Sequence, residues 1–153
     1  MPTRTQRRRT AGWRAPDNTK YVGRGTRYGN PYMVVRTTDG SYAIPAAEQN
    51  GKWPTFDYED DARSEAVRLY RQHLAENLDL VGRARRELAG HNLMCWCPEG
   101  SPCHADVLLR VAAIPDGAGV CARCWHWEGN PDVYRACPDC GRPWDHVLPQ
   151  AAP

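Results

Sequence analysis

Asn92-Leu93-Met94-Cys95-Trp96-Cys97-Pro98-Glu99-Gly100-Ser101-Pro102-Cys103-His104-Ala105-Asp106-Val107-Leu108-Leu109 is the stretch on which the fold turns. Its start, NLMCWC, has the apolar content of a buried strand, and Pro98 to Ser101 supply a loop. From Pro102 to Ala113 the spacing is helical, with Ala105, Leu108, Leu109 and Ala112 on one stripe. Ser101 is expected to cap that helix with its hydroxyl and Pro102 to occupy the first helical position, where a missing N–H costs nothing. On a strand, residues two apart share a face, so Cys95 and Cys97 point the same way. Cys103 and His104 fall in the first turn of the helix, where unpaired N–H groups and the positive dipole end favour an anion or a thiolate. Two functional readings follow. Cys95, Cys97, Cys103 and His104 can hold a metal ion, or Cys103 or Cys97 can act as a nucleophile with His104 as base. A third reading makes the cysteines small buried hydrophobes and His104 a capping residue.

Upstream, Leu78 to Ala89 reads as a helix with Val81, Ala84 and Leu88 inward and Gly90 as its terminator. A longer helix starts near Asp60, with Ala62, Ala66, Leu69, Tyr70, His73 and Leu74 on one face. The acids Asp57, Glu59, Asp60 and Asp61 lie where its dipole favours negative charge. Tyr32 to Thr37 and Ser41 to Ile44 read as strands joined at Asp39-Gly40, and Lys20 to Val22 as a short strand. Between them, Gly23 to Pro31 is a loop whose glycines let backbone approach a ligand, while Arg24 and Arg27 offer planar donors for phosphate. It fits neither a dinucleotide fingerprint nor a P-loop. Residues 1–19 show no hydrophobic period and form a basic arm whose first ten residues are expected to be mobile.

Downstream, Ile114 to Gly119 reads as a linker to a short module, residues 120–147, followed by a tail at 148–153. Cys121-x-x-Cys124 and Cys137-x-x-Cys140 can each aim both sulfurs at one tetrahedral ion. The expectation is one structural zinc ion, which supplies most of the folding free energy of a piece too short to bury a core. Four sulfurs complete the shell, so His126 and His146 are read as surface residues, and Trp125, Trp127, Tyr134 and Trp144 as packing a miniature core. The expected fold class is therefore α/β, a small mixed or parallel sheet flanked by helices, followed by a small zinc ribbon.

Composition bounds the rest. Seven cysteines, four of them in Cys-x-x-Cys pairs, suit metal binding in a reducing cytoplasm better than a disulfide framework. No stretch has the length and apolarity of a membrane span or a secretory signal. Residues 1–36 hold nine Lys or Arg against one acid, while the remainder holds 11 basic and 17 acidic groups. A basic arm on a mildly acidic body can serve nucleic acid or another polyanion.

The runs Thr5 to Thr10, Gly12-Trp13-Arg14, Tyr21-Val22-Gly23-Arg24, Gly29-Asn30-Pro31, Cys95-Trp96-Cys97 and Cys103 to Leu109 resemble a small bacterial and phage family known as domain of unknown function 4326. The resemblance covers roughly residues 2–113, excludes the ribbon, and implies an α/β domain without an assigned activity. Because Arg7, Arg8, Arg9, Trp13 and Arg14 belong to the motif, the arm is expected to fold back and line the pocket. Two functions are consistent with these features. One is a domain that binds a phosphorylated nucleotide or nucleic-acid-derived ligand through Arg24, Arg27, Asn30, Arg14 and Trp13, with chemistry at Cys103, His104 and Cys97. The other is a non-catalytic adaptor that contacts nucleic acid or protein through the arm and the ribbon.

Overall fold

The structure, a computed structural model, describes residues 1–128, 136–144 and 146–147. Tyr134 and the tail at 148–153 lie outside the described residues, as does the side chain of His146. In chain order the elements are β1 (Arg4–Gln6), β2 (Thr19–Tyr21), β3 (Val35–Arg36), β4 (Tyr42–Ala43), a 3-10 turn (Pro45–Ala47) and β5 (Thr55–Phe56). There follow α1 (Glu59–Ala75), α2 (Leu78–Leu88), β6 (Asn92–Cys95), α3 (His104–Ala112), β7 (Gly119–Val120), β8 (Trp127–Glu128) and β9 (His146–Val147). The class is α/β, as the sequence predicts.

At the centre stands β6, with β1 and β2 parallel on either side. Leu93, Met94 and Cys95 are all buried, so this strand is covered on both faces, and that is why its sequence is a continuous apolar run rather than an alternation. Val81, Leu88, Leu108 and Val111 from α2 and α3 pack with Leu93 in one cluster, joined by Tyr70 and Leu74 of α1. A separate antiparallel sheet, β3-β4-β5, contains the expected Asp39-Gly40 hairpin. Its strands are shorter than their composition suggests, with Val35 and Arg36 the paired part of Tyr32 to Thr37.

Several expectations are corrected. The start of the basic arm is an edge strand: Arg4, Thr5 and Gln6 sit beside Leu93, Met94 and Cys95, and the Arg7 N–H donates to the Cys95 carbonyl at 2.7 Å. A buried central strand needs partners for its backbone groups on both edges, and a polar segment supplies them without any hydrophobic period of its own. Neither Ser101 nor Pro102 begins α3. Cys103 is the N-cap, extended in backbone, with its sulfur accepting from the Ala105 N–H at 3.5 Å. The Ser101 carbonyl accepts instead from Arg4, and its N–H donates to the Pro98 carbonyl, so the loop runs on to the cysteine.

Residues 114–119 are not a loose tether. Arg85, a buried arginine of α2, donates to the Ile114 carbonyl at 3.2 Å and pairs with Asp116 at 2.5 Å, while Ile114 and Ala118 are buried. Described residues of the module beyond join the main core. Val120 and Trp125 belong to the same apolar cluster as Leu93, and the Trp125 indole N–H donates to the Arg71 carbonyl of α1 at 2.9 Å. Its three strands form a third sheet, β8-β7-β9.

Candidate functional site

Parallel strands in an α/β sheet present their carboxyl ends to a crevice, and ligands of this architecture gather there. Here the carboxyl end of β6 carries Cys95 and then Cys97, β2 leads into Val22 and the Gly23 to Pro31 loop, and α3 begins with Cys103 and His104. One donor atom from each of Cys95, Cys97, Cys103 and His104 falls within 4.8 Å of all the others. The Cys95 and Cys97 sulfurs are 3.5 Å apart, and the Cys103 sulfur is 3.8 Å from His104 Nδ1. His104 Nε2 lies 2.9 Å from the Val22 carbonyl, which can only accept, so Nε2 carries the proton and Nδ1 is left to face the sulfurs. A ring nitrogen tied to a carbonyl while the other faces a donor cluster is the arrangement that orients a metal-ligating histidine. Tyr70 meets the imidazole edge-on at 5.3 Å and fixes its plane.

Within this group the side chains shift one another in opposite directions. Hydrogen bonds from Cys103 and Cys97 pull the Cys95 thiol far down despite its burial, while Cys103 is pushed up chiefly by its hydrogen bond to Cys95. Burial alone would lower His104, yet the Cys95 and Cys97 sulfurs outweigh it and lift the imidazole to about 9. Three thiols and one imidazole, all buried except the half-buried Cys97, form a donor set that can hold a metal ion.

The loop from Cys97 to Cys103 is held from outside by Arg4. Its guanidinium donates to the Pro98 carbonyl at 3.2 Å and the Ser101 carbonyl at 3.1 Å, and pairs with Asp106 at 3.1 Å. Nothing in a basic tail distinguishes this arginine by sequence, since its role comes only from β1 pairing with β6.

A second group, Cys121, Cys124, Cys137 and Cys140, also brings all four sulfurs within 4.8 Å of one another and can hold a metal ion. Its two halves repeat one backbone pattern. Trp125 N–H donates to the Cys121 carbonyl at 2.7 Å and Gly141 N–H to the Cys137 carbonyl at 2.8 Å. Cys121 N–H then reaches His126 and Cys137 N–H reaches Arg142 in the same way. The residue after each second cysteine takes a left-handed φ, +71° at Gly141 and +53° at Trp125. Glycine does so freely, whereas a tryptophan incurs about 1–2 kcal/mol, offset by burial of its ring. His126 pairs with Asp139 at 3.6 Å and stacks on Trp144.

Beside the first cluster lies a cavity of about 670 Å³. Arg9, Arg24, Asn30 and Arg63 line it together with Tyr21 and Trp96, and Cys95, Cys97, Cys103 and His104 form part of its wall. The guanidinium groups of Arg7 and Arg9 each stack over the Trp96 ring at 5.0 Å, so the arm does fold back onto the domain. Arg24 and Asn30 therefore reach the cavity, but Arg27, Trp13 and Arg14 are not among the residues that line it. Asn30 is committed to the loop's own shape: its amide donates to the Ala66 carbonyl at 3.0 Å and accepts from the Tyr32 N–H at 2.9 Å. Tyr28 anchors the same loop, donating to Glu87 at 2.6 Å and accepting at its carbonyl from Tyr70. Arg63 is a cavity residue that helical periodicity assigns to a solvated face, paired i to i+4 with Glu59. Trp96 directly follows β6 and lines the cavity together with Cys95 and Cys97.

Among the described residues no helix is long and apolar enough to cross a membrane. No curated protein and no solved structure matches the chain. The family model described as Domain of unknown function (DUF4326) matches residues 5–114, which span β1 through α3 with the first cysteine cluster and leave the second outside, and the chain belongs to that family.

Proposed function

We propose that the protein carries two zinc ions and that its α/β domain binds a phosphorylated nucleotide or a nucleic-acid-derived ligand in the cavity beside the first of them. The observation that carries the ligand reading is the pairing, around one cavity, of three guanidinium groups (Arg9, Arg24, Arg63) with two aromatic rings (Tyr21, Trp96). Guanidinium forks match phosphate, and a base that stacks on Trp96 or Tyr21 would displace the Arg7 and Arg9 guanidinium groups that cover those rings.

Zinc is supported by the donor chemistry. Thiolate with one imidazole, or four thiolates, is the set that zinc prefers, and tetrahedral Zn–S bonds of about 2.3 Å put sulfurs about 3.8 Å apart. The sulfurs lie 3.5 Å apart in Cys95 and Cys97 and 3.7 Å apart in Cys121 and Cys140. Cys121, Cys124, Cys137 and Cys140 would hold one ion, and Cys95, Cys97, Cys103 and His104 the other. Each set is complete with four donors, so the ion's contribution is to cross-link backbone rather than to offer an open coordination position. Cys103, His104 and Cys97 are read accordingly as ligands rather than as nucleophile and base. Sulfur donors of this kind call for a reducing compartment, and a cytoplasmic setting is part of the proposal.

Titration of the full, zinc-loaded chain with nucleoside monophosphates and triphosphates, followed by tryptophan fluorescence, tests the ligand reading. Saturable quenching is expected, and Arg24→Ala should weaken it about tenfold or more, in keeping with about 1.5–3 kcal/mol for a charge-assisted hydrogen bond. Absence of a saturable response to every nucleotide would overturn it.

A further inference from the structure

A different surface lies between α1 and the C-terminal cysteine module. It is a groove of about 430 Å³ lined by Arg68, Gln72 and Ala75 of α1 and by Ala122, Arg123 and Arg142. We propose that this groove binds the phosphodiester backbone of a nucleic acid, at a site separate from the cavity of the α/β domain and independent of what that cavity binds.

Among the described residues the lining contains three guanidinium groups and no carboxylate, and its apolar residues are alanines. Such a surface offers little to an aliphatic ligand, and its small residues let a sugar-phosphate chain approach the arginines closely. The arginines are not scattered. Arg123 sits inside the first Cys-x-x-Cys turn and Arg142 directly follows the left-handed Gly141 of the second, so each metal-binding turn delivers one. The four sulfurs that bring the turns together therefore also set the spacing of the two positive charges. The opposite wall is fixed as well, because Trp125 is buried and bonded to the Arg71 carbonyl, within a turn of Arg68 and Gln72.

Charge balance favours the two module arginines as the contacts. Arg68 is partly neutralised by Glu65 at 2.7 Å, and Gln72 donates to Glu76 at 3.0 Å. The nearby carboxylate Asp139 is engaged by His126. Arg123 and Arg142 are exposed and have no ion-pair partner among the described residues. An open channel edged by exposed guanidinium groups suits successive phosphates along a strand better than one enclosed anion.

The test is fluorescence anisotropy of labelled single-stranded DNA and RNA with the full, metal-loaded chain, over roughly 50 to 200 mM salt. Each phosphate contact contributes a slope of about −0.7 to −0.9 in log affinity against log salt, so Arg123→Ala/Arg142→Ala should flatten the slope by about 1.5 and weaken binding at least tenfold at low salt. Arg123→Lys/Arg142→Lys should keep the slope. Arg86→Ala/Arg110→Ala, with the same change of charge outside the groove lining, should lose far less. Metal content and far-UV circular dichroism of each variant separate a lost contact from a lost fold. Equal losses in the two alanine variants would assign binding to overall charge and overturn the groove. No binding to either oligonucleotide, or binding of an acidic peptide instead, would overturn the nucleic-acid partner. Inorganic phosphate that competes as well as the oligonucleotide would do the same.

Discussion

Trp125→Ala is expected to destabilise the helices of the α/β domain, although Trp125 lies outside the region that the family covers. The indole is fully buried, sits in the cluster built around Leu93, and donates to the Arg71 carbonyl of α1. Truncation of a buried aromatic to alanine costs about 3–5 kcal/mol, which is a large part of the 5–15 kcal/mol that holds an ordinary domain together. For a chain of this length that converts to a fall of roughly 6–20 °C in Tm. Far-UV ellipticity during urea unfolding reads the change directly, because the signal comes from α1, α2 and α3. One transition with a clearly lower midpoint is expected. A helical transition that moves by less than about 1 kcal/mol would refute the shared core and restore a module that folds on its own. Trp125→Gly adds a second check. Glycine loses one more buried carbon, worth about 0.8 kcal/mol, but is relieved of a left-handed cost of about 1–2 kcal/mol, so it should be no less stable than the alanine variant.

Arg4→Ala should weaken metal binding at the first cysteine cluster by about 10- to 100-fold, as expected when a residue that orients ligands is removed, and leave the second cluster unchanged. Chelator competition measures both. Arg4→Lys should rescue little, because an ammonium cannot serve Pro98, Ser101 and Asp106 together as the guanidinium does. Gly29→Ala should cost about 1–3 kcal/mol and distort the cavity loop, since a Cβ there would meet the Gly23 carbonyl oxygen at 3.0 Å and the Arg24 Cα at 3.2 Å. Thermal unfolding, together with nucleotide titration, reads both effects. In the β3–β4 turn, hydrogen bonds from the Thr37 and Ser41 hydroxyls and from the Ser41 N–H hold the Asp39 carboxyl down at about 2. Because the folded value lies below the unfolded one, the turn is fully supported above about pH 4 and loses that support as pH falls through about 2. An Asp39 midpoint near the ordinary aspartate value by NMR titration would contradict the hydrogen bonds.

What could be read from the sequence follows its physics. The apolar run at β6, the stripe of α2, and the paired Cys-x-x-Cys spacing each reflect one local cause, burial or metal geometry, and each is found in the structure, whereas on α3 Ala105 and Leu108 are buried as expected but Val107 and Val111 are buried in place of Leu109 and Ala112. The convergence of Cys95, Cys97, Cys103 and His104 was foreshadowed by their placement at the end of a strand and the start of a helix. Features that depend on distant partners were not legible. The pairing of Arg4–Gln6 with β6 uses backbone alone, and polar side chains give no sign of it. The α3 cap moved from Ser101 to Cys103 because the Ser101 carbonyl bonds to an arginine almost the whole domain away in sequence. Trp125 looked like the centre of a small core because its neighbours in sequence are the metal turns, whereas its contacts are with α1 and the main cluster.

The central claim is that the chain holds two metal centres, one inside the family domain and one beyond it. Elemental analysis of the full chain purified without chelator tests it most directly, together with Cys95→Ser/Cys103→Ser and Cys137→Ser/Cys140→Ser. With both clusters occupied, the parent chain carries two zinc ions and each variant retains about one. One zinc ion in the parent, unaffected by Cys95→Ser/Cys103→Ser and abolished by Cys137→Ser/Cys140→Ser, would contradict it and return Cys95, Cys97, Cys103 and His104 to some other role.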